Sequence, residues 1–97
     1  MARILVADDE PGLREFIADA LELDEHDVVT APDGKAAAKL LDEKGFELVI
    51  TDLKMPGMDG LEVCRRLKAA PENHPIPIII VSACGEEEQV VFVFVRD

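Results

Sequence analysis

The sequence predicts an α/β domain in which helices cover both faces of a parallel β-sheet. Along the chain, strand-like apolar runs alternate with segments whose apolar residues have helical spacing, which is the pattern of α/β folds. The run at 77 to 82 is almost entirely apolar, as in a parallel strand buried on both faces, whereas a sheet with one face in water would alternate apolar and polar residues. A chain of 97 residues has room for one small domain.

The first strand is predicted in the segment ARILVA and the first helix over about residues 11 to 23. Pro11 suits the first turn of a helix, where its missing N–H costs no hydrogen bond. The apolar residues of this segment follow the spacing of one helix face: Leu13, Phe16, Ile17, Ala20 and Leu21. A short second strand is predicted at 27 to 31.

Two further helices have candidate N-caps. Asp33 precedes an alanine-rich helix that is predicted to end near Lys44 and Gly45, before a third strand at 47 to 52. The pair Asp59 and Glu62, three positions apart, predicts a capping box for a helix that continues through Ala70. The fourth strand follows at about 77 to 82.

The charge balance excludes some partners. With 10 basic and 21 acidic residues the net charge is -11, which repels nucleic acid phosphates and anionic membrane surfaces. The N-terminal segment lacks the long apolar run of a signal peptide or membrane span, so we expect a cytoplasmic protein with no nucleic-acid or membrane partner. Cys64 and Cys84 lack metal-ligand spacing, so we expect reduced thiols.

Acidic and hydroxyl side chains follow three of the predicted strands. Asp8 and Asp9 come after the first, Asp52 ends the third and Ser82 ends the fourth. Ligand sites in open α/β sheets lie beyond the carboxyl ends of the strands, so we expect these residues to converge. Asp8 and Asp9 alone also fit a simple turn and helix N-cap, but the joint pattern of three strand ends favours a site.

Three converging carboxylates favour a divalent cation. They repel one another by up to ~4 kcal/mol per pair at 4 Å and an effective dielectric of 20, so either their pKa values rise or a cation binds. Magnesium prefers oxygen ligands and keeps several waters, and manganese is possible at the same site. Asp52 is the candidate nucleophile toward phosphorus, which would give an aspartyl-phosphate. Residues that keep the neighbouring loop tight follow it: Met55, Pro56, Gly57 and Gly60.

At these residues the chain resembles the receiver domains of two-component response regulators. RILVADDEP is similar to the first strand and acidic pair of that family, TDLKMPGMDG to its phosphoacceptor loop, and IIIVSA to its fourth strand. The resemblance covers residues 2 to about 83, so one domain over 1–97 is expected, with a family-like core at 1–83 and a divergent apolar tail at 84–97. It implies a flavodoxin-like sheet of strand order 2-1-3-4, with the fifth strand absent or replaced by the tail.

The resemblance also implies roles for particular residues. Asp8, Asp9 and Asp52 would hold Mg²⁺ together with the backbone carbonyl of Lys54, and Asp52 would accept the phosphoryl group. Ser82 and Ala83 would bind that group. The donor would be a phosphohistidine on a sensor histidine kinase or a histidine phosphotransfer protein. By this interpretation the chain is a phosphoacceptor that assists its own phosphorylation and not a turnover enzyme.

The tail departs from the family pattern. Residues after Ala83 stand where the family has a fourth helix, and no lysine follows Ser82 in the position of the family's phosphate-pairing lysine. Three glutamates at the start of the tail and Arg96 near its end suit a helix dipole, whereas the Val and Phe residues at 90–95 favour a strand, which we predict. Within one chain this strand could pair with the fourth only as an antiparallel hairpin, with Arg96 far from the phosphate site, because the connection is too short for a parallel crossover. We expect residues 84–97 to hold a homodimer in which a partner's tail runs parallel to the fourth strand and brings Arg96 toward Ser82 as a substitute cation.

Two functions therefore compete. One is a stand-alone receiver that binds Mg²⁺ and accepts phosphate on Asp52. The alternative is a degenerate receiver that acts as an interaction or dimerisation module, with weak phosphorylation or none. A metal-dependent phosphohydrolase is a third hypothesis, but the second aspartate expected two positions after such a nucleophile is replaced by Lys54.

Overall fold

The computed structural model describes residues 1–43, 45–55, 57–69, 76–84 and 89–95. Strands and helices alternate as far as the last helix, after which two strands follow each other. The elements are β1 Arg3–Ala7, α1 Pro11–Leu23, β2 Asp27–Ala31, α2 Gly34–Leu41, β3 Leu48–Asp52, α3 Gly60–Lys68, β4 Ile78–Cys84 and β5 Gln89–Val95. None of the helices in the described part of the chain is long and apolar enough to cross a membrane.

The five strands form one sheet in the order β2-β1-β3-β4-β5. The pairs among β1 to β4 are all parallel, which confirms the predicted order 2-1-3-4. In register, Ala7 lies beside both Ala31 and Thr51, and Asp52 lies beside Val81. The carboxyl ends of the parallel strands therefore share one edge of the sheet.

Apolar residues are buried on both faces of the sheet. Leu5 and Val49 of neighbouring strands belong to a cluster with Val63 and Leu67 of α3, on the face that α2 and α3 cover. The alternate strand residues belong to a second cluster, which Ile17 and Leu21 of α1 also contact: Ile4, Val6, Ile50 and Val81. Burial on both faces explains why these strands are continuous apolar runs.

The predicted N-caps are confirmed. The carboxylate of Asp33 accepts a hydrogen bond from the Ala36 N–H at 2.8 Å, and that of Asp59 accepts one from the Glu62 N–H at 2.9 Å. Each carboxylate satisfies a backbone donor that has no partner within the first turn of its helix. These caps fix where α2 and α3 begin, next to the loops that follow β2 and β3.

The helix ends are less accurately predicted. α2 ends at Leu41, earlier than the predicted end near residues 44 and 45, and α3 ends at Lys68. After Leu41 the N–H groups of Asp42 and Glu43 bond to carbonyls three residues back, at 3.3 and 3.0 Å, which tightens the last turn and closes the helix. The predicted end residues Lys44 and Ala70 lie outside the described residues.

The tail forms a strand, as predicted, and within one chain it pairs as the antiparallel hairpin that its short connection allows. β5 pairs with β4 of the same chain in antiparallel orientation, with Gln89 opposite Cys84 and Val95 opposite Ile78. The connection between them is too short for a parallel crossover, so a hairpin is the pairing available within one chain. The strand runs away from Ser82, and Arg96 itself lies outside the described residues.

Candidate functional site

Three carboxylates meet at the carboxyl edge of the sheet. Oxygens of Asp8, Asp9 and Asp52 all lie within 4.8 Å of one another. Asp8 directly follows β1 and its residue is only 1% exposed, whereas Asp9 is exposed and Asp52, the last residue of β3, is half-buried. The predicted convergence of strand ends therefore produces a cluster that is buried on one side and open on the other.

Asp8 is fixed by contacts on three sides. Its N–H donates to the Ala31 carbonyl at 3.1 Å, which extends the β1–β2 pairing by one residue. Its Oδ1 accepts from the Glu10 N–H at 2.9 Å, and its carbonyl accepts from Nη1 of Arg14 at 2.8 Å. A carboxylate with so little freedom provides a fixed ligand oxygen.

The cluster raises the pKa of two of its members. Burial is the main cause for Asp8, with the charges of Asp9 and Glu10 adding to it, while the Glu10 hydrogen bond and the Arg14 guanidinium oppose the rise. Burial is also the main cause of the raised pKa of Asp52, followed by the charge of Asp8. Both shifts are those expected of carboxylates that are buried and close to like charges.

The segment after Asp52 returns tightly to α3. The Gly60 N–H donates to the Leu53 carbonyl at 2.9 Å, and Met55 is buried in the core. Gly57 has φ of 82°, in the left-handed region that glycine adopts without strain. Hydrogen bonds from the backbone of Lys54 oppose the rise in the pKa of Asp52, so Lys54 backbone atoms lie beside this carboxylate while its side chain is exposed.

Ser82 and Ala83 belong to β4. Val81 of this strand lies opposite Asp52, and Ser82 and Ala83 are the next two residues along it. The Leu53 N–H donates to the carbonyl of Val81 at 3.3 Å, which joins the two strands at this edge. The backbone register thus puts the predicted phosphate-binding segment on the strand adjacent to Asp52.

A separate groove of about 590 Å³ lies between α2 and α3. It is lined by Asp33, Lys35, Ala36, Ala38, Lys39, Asp42, Met58 and Arg66. None of the three clustered carboxylates is among them. Among the described lining residues, Met58 in the loop between β3 and α3 links this groove to the segment that carries Asp52.

Residues 4–96 match a family of known proteins, the response regulator receiver domain. The chain belongs to this family. Members of the receiver family are signalling phosphoacceptors that histidine kinases phosphorylate, and they are not typical turnover enzymes. The resemblance predicted from RILVADDEP, TDLKMPGMDG and IIIVSA is confirmed.

Individual relatives agree with this membership. The heme response regulator HssR of Staphylococcus aureus (strain Newman) is 37% identical over 83 residues, which cover 86% of this chain and 36% of that protein. The chain thus spans about a third of the length of the curated relatives it matches.

Solved structures agree as well. The receiver domain of Francisella response regulator 1452 has a TM-score of 0.78 at 31% identity, over 90% of this chain and 71% of that one. The chemotaxis response regulator CheY4 of Vibrio cholerae has a TM-score of 0.83 at 27% identity, over 91% and 73%.

Sequence reasoning missed one contact in this receiver site. Arg14 lies in the first turns of α1 and reaches back to the Asp8 carbonyl. The sequence does show that Arg14 lies close to the acidic pair, because the predicted first helix begins soon after that pair. An arginine on a helix is ordinarily interpreted as a solvated surface residue, so this signal was not used. The contact brings a positive charge to the side of the cluster that α1 covers.

Proposed function

We propose that this receiver binds Mg²⁺, or Mn²⁺, at its acidic edge and accepts a phosphoryl group on Asp52. The observation that carries the proposal is the convergence of three carboxylate oxygens within 4.8 Å, around a buried Asp8. Such a cluster is electrostatically costly without a cation and is therefore suited to hold one.

The residues present fit a hard divalent ion. Asp8, Asp9 and Asp52 would supply carboxylate oxygens, and the backbone carbonyl of Lys54 would add a neutral oxygen, which is the donor set that magnesium prefers. A bound cation would neutralise charge on the phosphoryl oxygens during transfer. The exposed side of the cluster, beside Asp9, leaves room for solvent and for a phosphate.

Asp52 is the phosphoacceptor in this proposal. A carboxylate oxygen of Asp52 forms the new P–O bond as the P–N bond of the donor's phosphohistidine breaks, and Ser82 and Ala83 on β4 bind the transferred group. Asp52 must be ionised to attack, and its raised pKa makes ionisation harder in the absence of positive charge. The donor is a sensor histidine kinase or a histidine phosphotransfer protein.

Incubation with acetyl phosphate and magnesium, followed by intact mass spectrometry, tests this function. The protein should gain the mass of one phosphoryl group, and the gain should disappear in Asp52→Asn and on chelation of the metal. Asp19→Asn, a change on α1 outside the cluster, is the control and should be phosphorylated like wild type. An adduct that survives Asp52→Asn would reject the assignment.

A second candidate function, homodimerisation through residues 84–97, is favoured by the position of β5. Among the described strands β5 is the last in the sheet, and its residues QVVFVFV carry no charge. An uncharged edge strand of seven residues is a template for a strand of another chain. We propose that a second copy pairs with this edge. The predicted role of Arg96 depends instead on an exchanged tail parallel to β4 and stays a prediction.

Light scattering tests the dimer. Val93→Lys places a charge on the β5 edge and should give a monomer, whereas Leu23→Lys, at an exposed apolar residue of α1, should leave the dimer intact. A monomeric wild-type chain would reject this function without affecting phosphorylation on Asp52.

A further inference from the structure

We propose that Gly34, the first residue of α2, is a positioning residue for the phosphoacceptor site. Because Gly34 has no side chain, the backbone of Met58 lies directly against α2, and this contact holds the loop that carries Lys54 beside the acidic pair. The inference rests on the proposed function, since it assigns to Gly34 the placement of that site's ligands.

The contact at Gly34 is made by backbone. A Cβ added there would overlap the carbonyl oxygen of Met58, and it would lie 2.6 Å from the Cβ and 2.8 Å from the carbonyl carbon of the same residue. Real Cβ atoms essentially never approach other atoms this closely, and a backbone carbonyl cannot swing aside as a side-chain end can. Either the loop or the start of α2 must therefore move when Gly34 is replaced.

The start of α2 is the less movable partner. The Asp33 carboxylate caps the helix through the Ala36 N–H at 2.8 Å, and Ala37 in the first turn is fully buried in the core. The loop is less fixed at this point, since Gly57, next to Met58, is exposed. A methyl group at position 34 should thus displace Met58 and the loop, and leave α2 in place.

The other end of the loop is held in the same way by α3. A Cβ on Gly60 would overlap the Asp52 carbonyl oxygen and would lie 3.1 Å from the Cα of Leu53. Leu53 and Met58 therefore each lie against the first residue of a helix, Gly60 of α3 and Gly34 of α2. Asp59, next to Met58, is tied to α3 by its bond from the Glu62 N–H, so we expect a displacement at Met58 to pass along the loop toward Lys54.

This displacement matters because ligand sites tolerate little misplacement, on the order of 0.5 Å. The Lys54 carbonyl and the Asp52 carboxylate belong to the proposed cation site and lie at the start of the loop. Loss of a residue that orients ligands typically weakens metal binding by about tenfold or more. We expect Gly34→Ala to weaken Mg²⁺ binding to this extent.

The experiment compares Mg²⁺ affinity, measured by isothermal titration calorimetry well below the unfolding midpoint, across matched variants. Gly12→Ala is the control for a glycine replaced in the first turn of a helix, since a Cβ there meets nothing within 4 Å, and it should bind like wild type. Leu21→Ala controls for lost stability, because Leu21 packs against the cluster on the opposite face of the sheet. It should lower the unfolding midpoint and leave the affinity unchanged.

Hydrogen–deuterium exchange of residues 53–59 gives a readout that does not depend on the metal. Gly34→Ala should speed exchange in this segment, and Gly12→Ala should not. If Gly34→Ala does not fold, Met58→Gly removes the Cβ part of the contact and keeps the carbonyl part, and it should speed the same exchange, while Met58→Ala, which keeps both, should not.

Three outcomes decide the proposal. Wild-type affinity and wild-type exchange in Gly34→Ala would overturn it, and so would an equal loss of affinity in Leu21→Ala. Unaltered exchange in Met58→Gly would overturn it when Gly34→Ala is unfolded. If the wild-type protein binds no Mg²⁺, the proposed function fails, and the exchange data still decide whether Gly34 positions the loop.

Discussion

Replacing Asp8 by Asn should make the metal-free protein more stable while removing its response to magnesium. The substitution deletes one buried negative charge from the cluster and changes little else. The amide oxygen of Asn can still accept from the Glu10 N–H, and Arg14 donates to the Asp8 backbone carbonyl, which remains. The effect on stability therefore reports the cost of burying this charge together with its repulsion by the neighbouring carboxylates.

The magnitude follows from the spacing of the cluster. Two unit charges 4.8 Å apart repel by about 3.5 kcal/mol at an effective dielectric of 20, and the Asp8 and Asp52 oxygens lie within that distance. The raised pKa of both groups and the partial exposure of Asp52 reduce the share of this repulsion that the substitution removes. We therefore expect the free energy of unfolding to rise by about 1–2 kcal/mol at neutral pH. For a domain of this size that gain raises the unfolding midpoint by about 5–15 °C.

Circular dichroism during heating, with chelator and with millimolar magnesium, measures both effects. Wild type should gain stability with magnesium by mass action, by about 2.7 kcal/mol at a concentration one hundred times the Kd. Asp8→Asn should show a higher midpoint in chelator and a smaller shift with magnesium. A midpoint in chelator equal to or below that of wild type would refute the argument that charge repulsion destabilises this cluster.

Three further predictions concern the same region. The stability advantage of Asp8→Asn in chelator should grow as pH rises through the raised pKa values of Asp8 and Asp52, because these groups lower stability only when ionised. The advantage should vanish near the ordinary pKa of 3.8. An advantage that stays constant when unfolding is measured across pH would contradict this. Asp9→Ala should weaken the magnesium dependence of adduct formation without abolishing the adduct, as intact mass across a metal titration will show, and equal dependence would exclude Asp9 as a ligand. Asp33→Ala should cost about 1 kcal/mol in denaturant unfolding, since the Ala36 N–H loses its acceptor, and an unchanged midpoint would mean that water replaces the cap.

The sequence predicted much of the fold for a physical reason. The strands are buried on both faces, so their apolar runs are continuous, and the carboxyl ends of parallel strands share an edge, so the order of residues alone sufficed to place Asp8, Asp9 and Asp52 together. The caps at Asp33 and Asp59 were equally local, because an N-cap acts on a backbone donor a few residues away.

Other features depend on contacts between distant segments and were beyond sequence reasoning. The closeness of Gly34 to Met58 joins the start of α2 to the loop before α3, which no local pattern relates, and the reach of Arg14 to the Asp8 carbonyl depends on the angle at which α1 leaves β1. The tail is a different case, because its valine and phenylalanine content predicted a strand and its short connection predicted an antiparallel hairpin within one chain. The antiparallel pairing of β5 follows from the short connection and the free edge of β4.

The two faces of the sheet are unequal, and this bears on how the protein opens. Among the described residues, eleven buried residues form the cluster on the α2 and α3 side, against four on the α1 side, and α1 leaves Phe16 71% and Leu23 84% exposed. Segments with few buried contacts open at the lowest free energy, so α1 should detach transiently before the rest of the domain unfolds. Because Arg14 of α1 donates to the Asp8 carbonyl, each such opening would also loosen the acidic edge of the sheet. A tightly bound cation would then dissociate at least as fast as α1 opens.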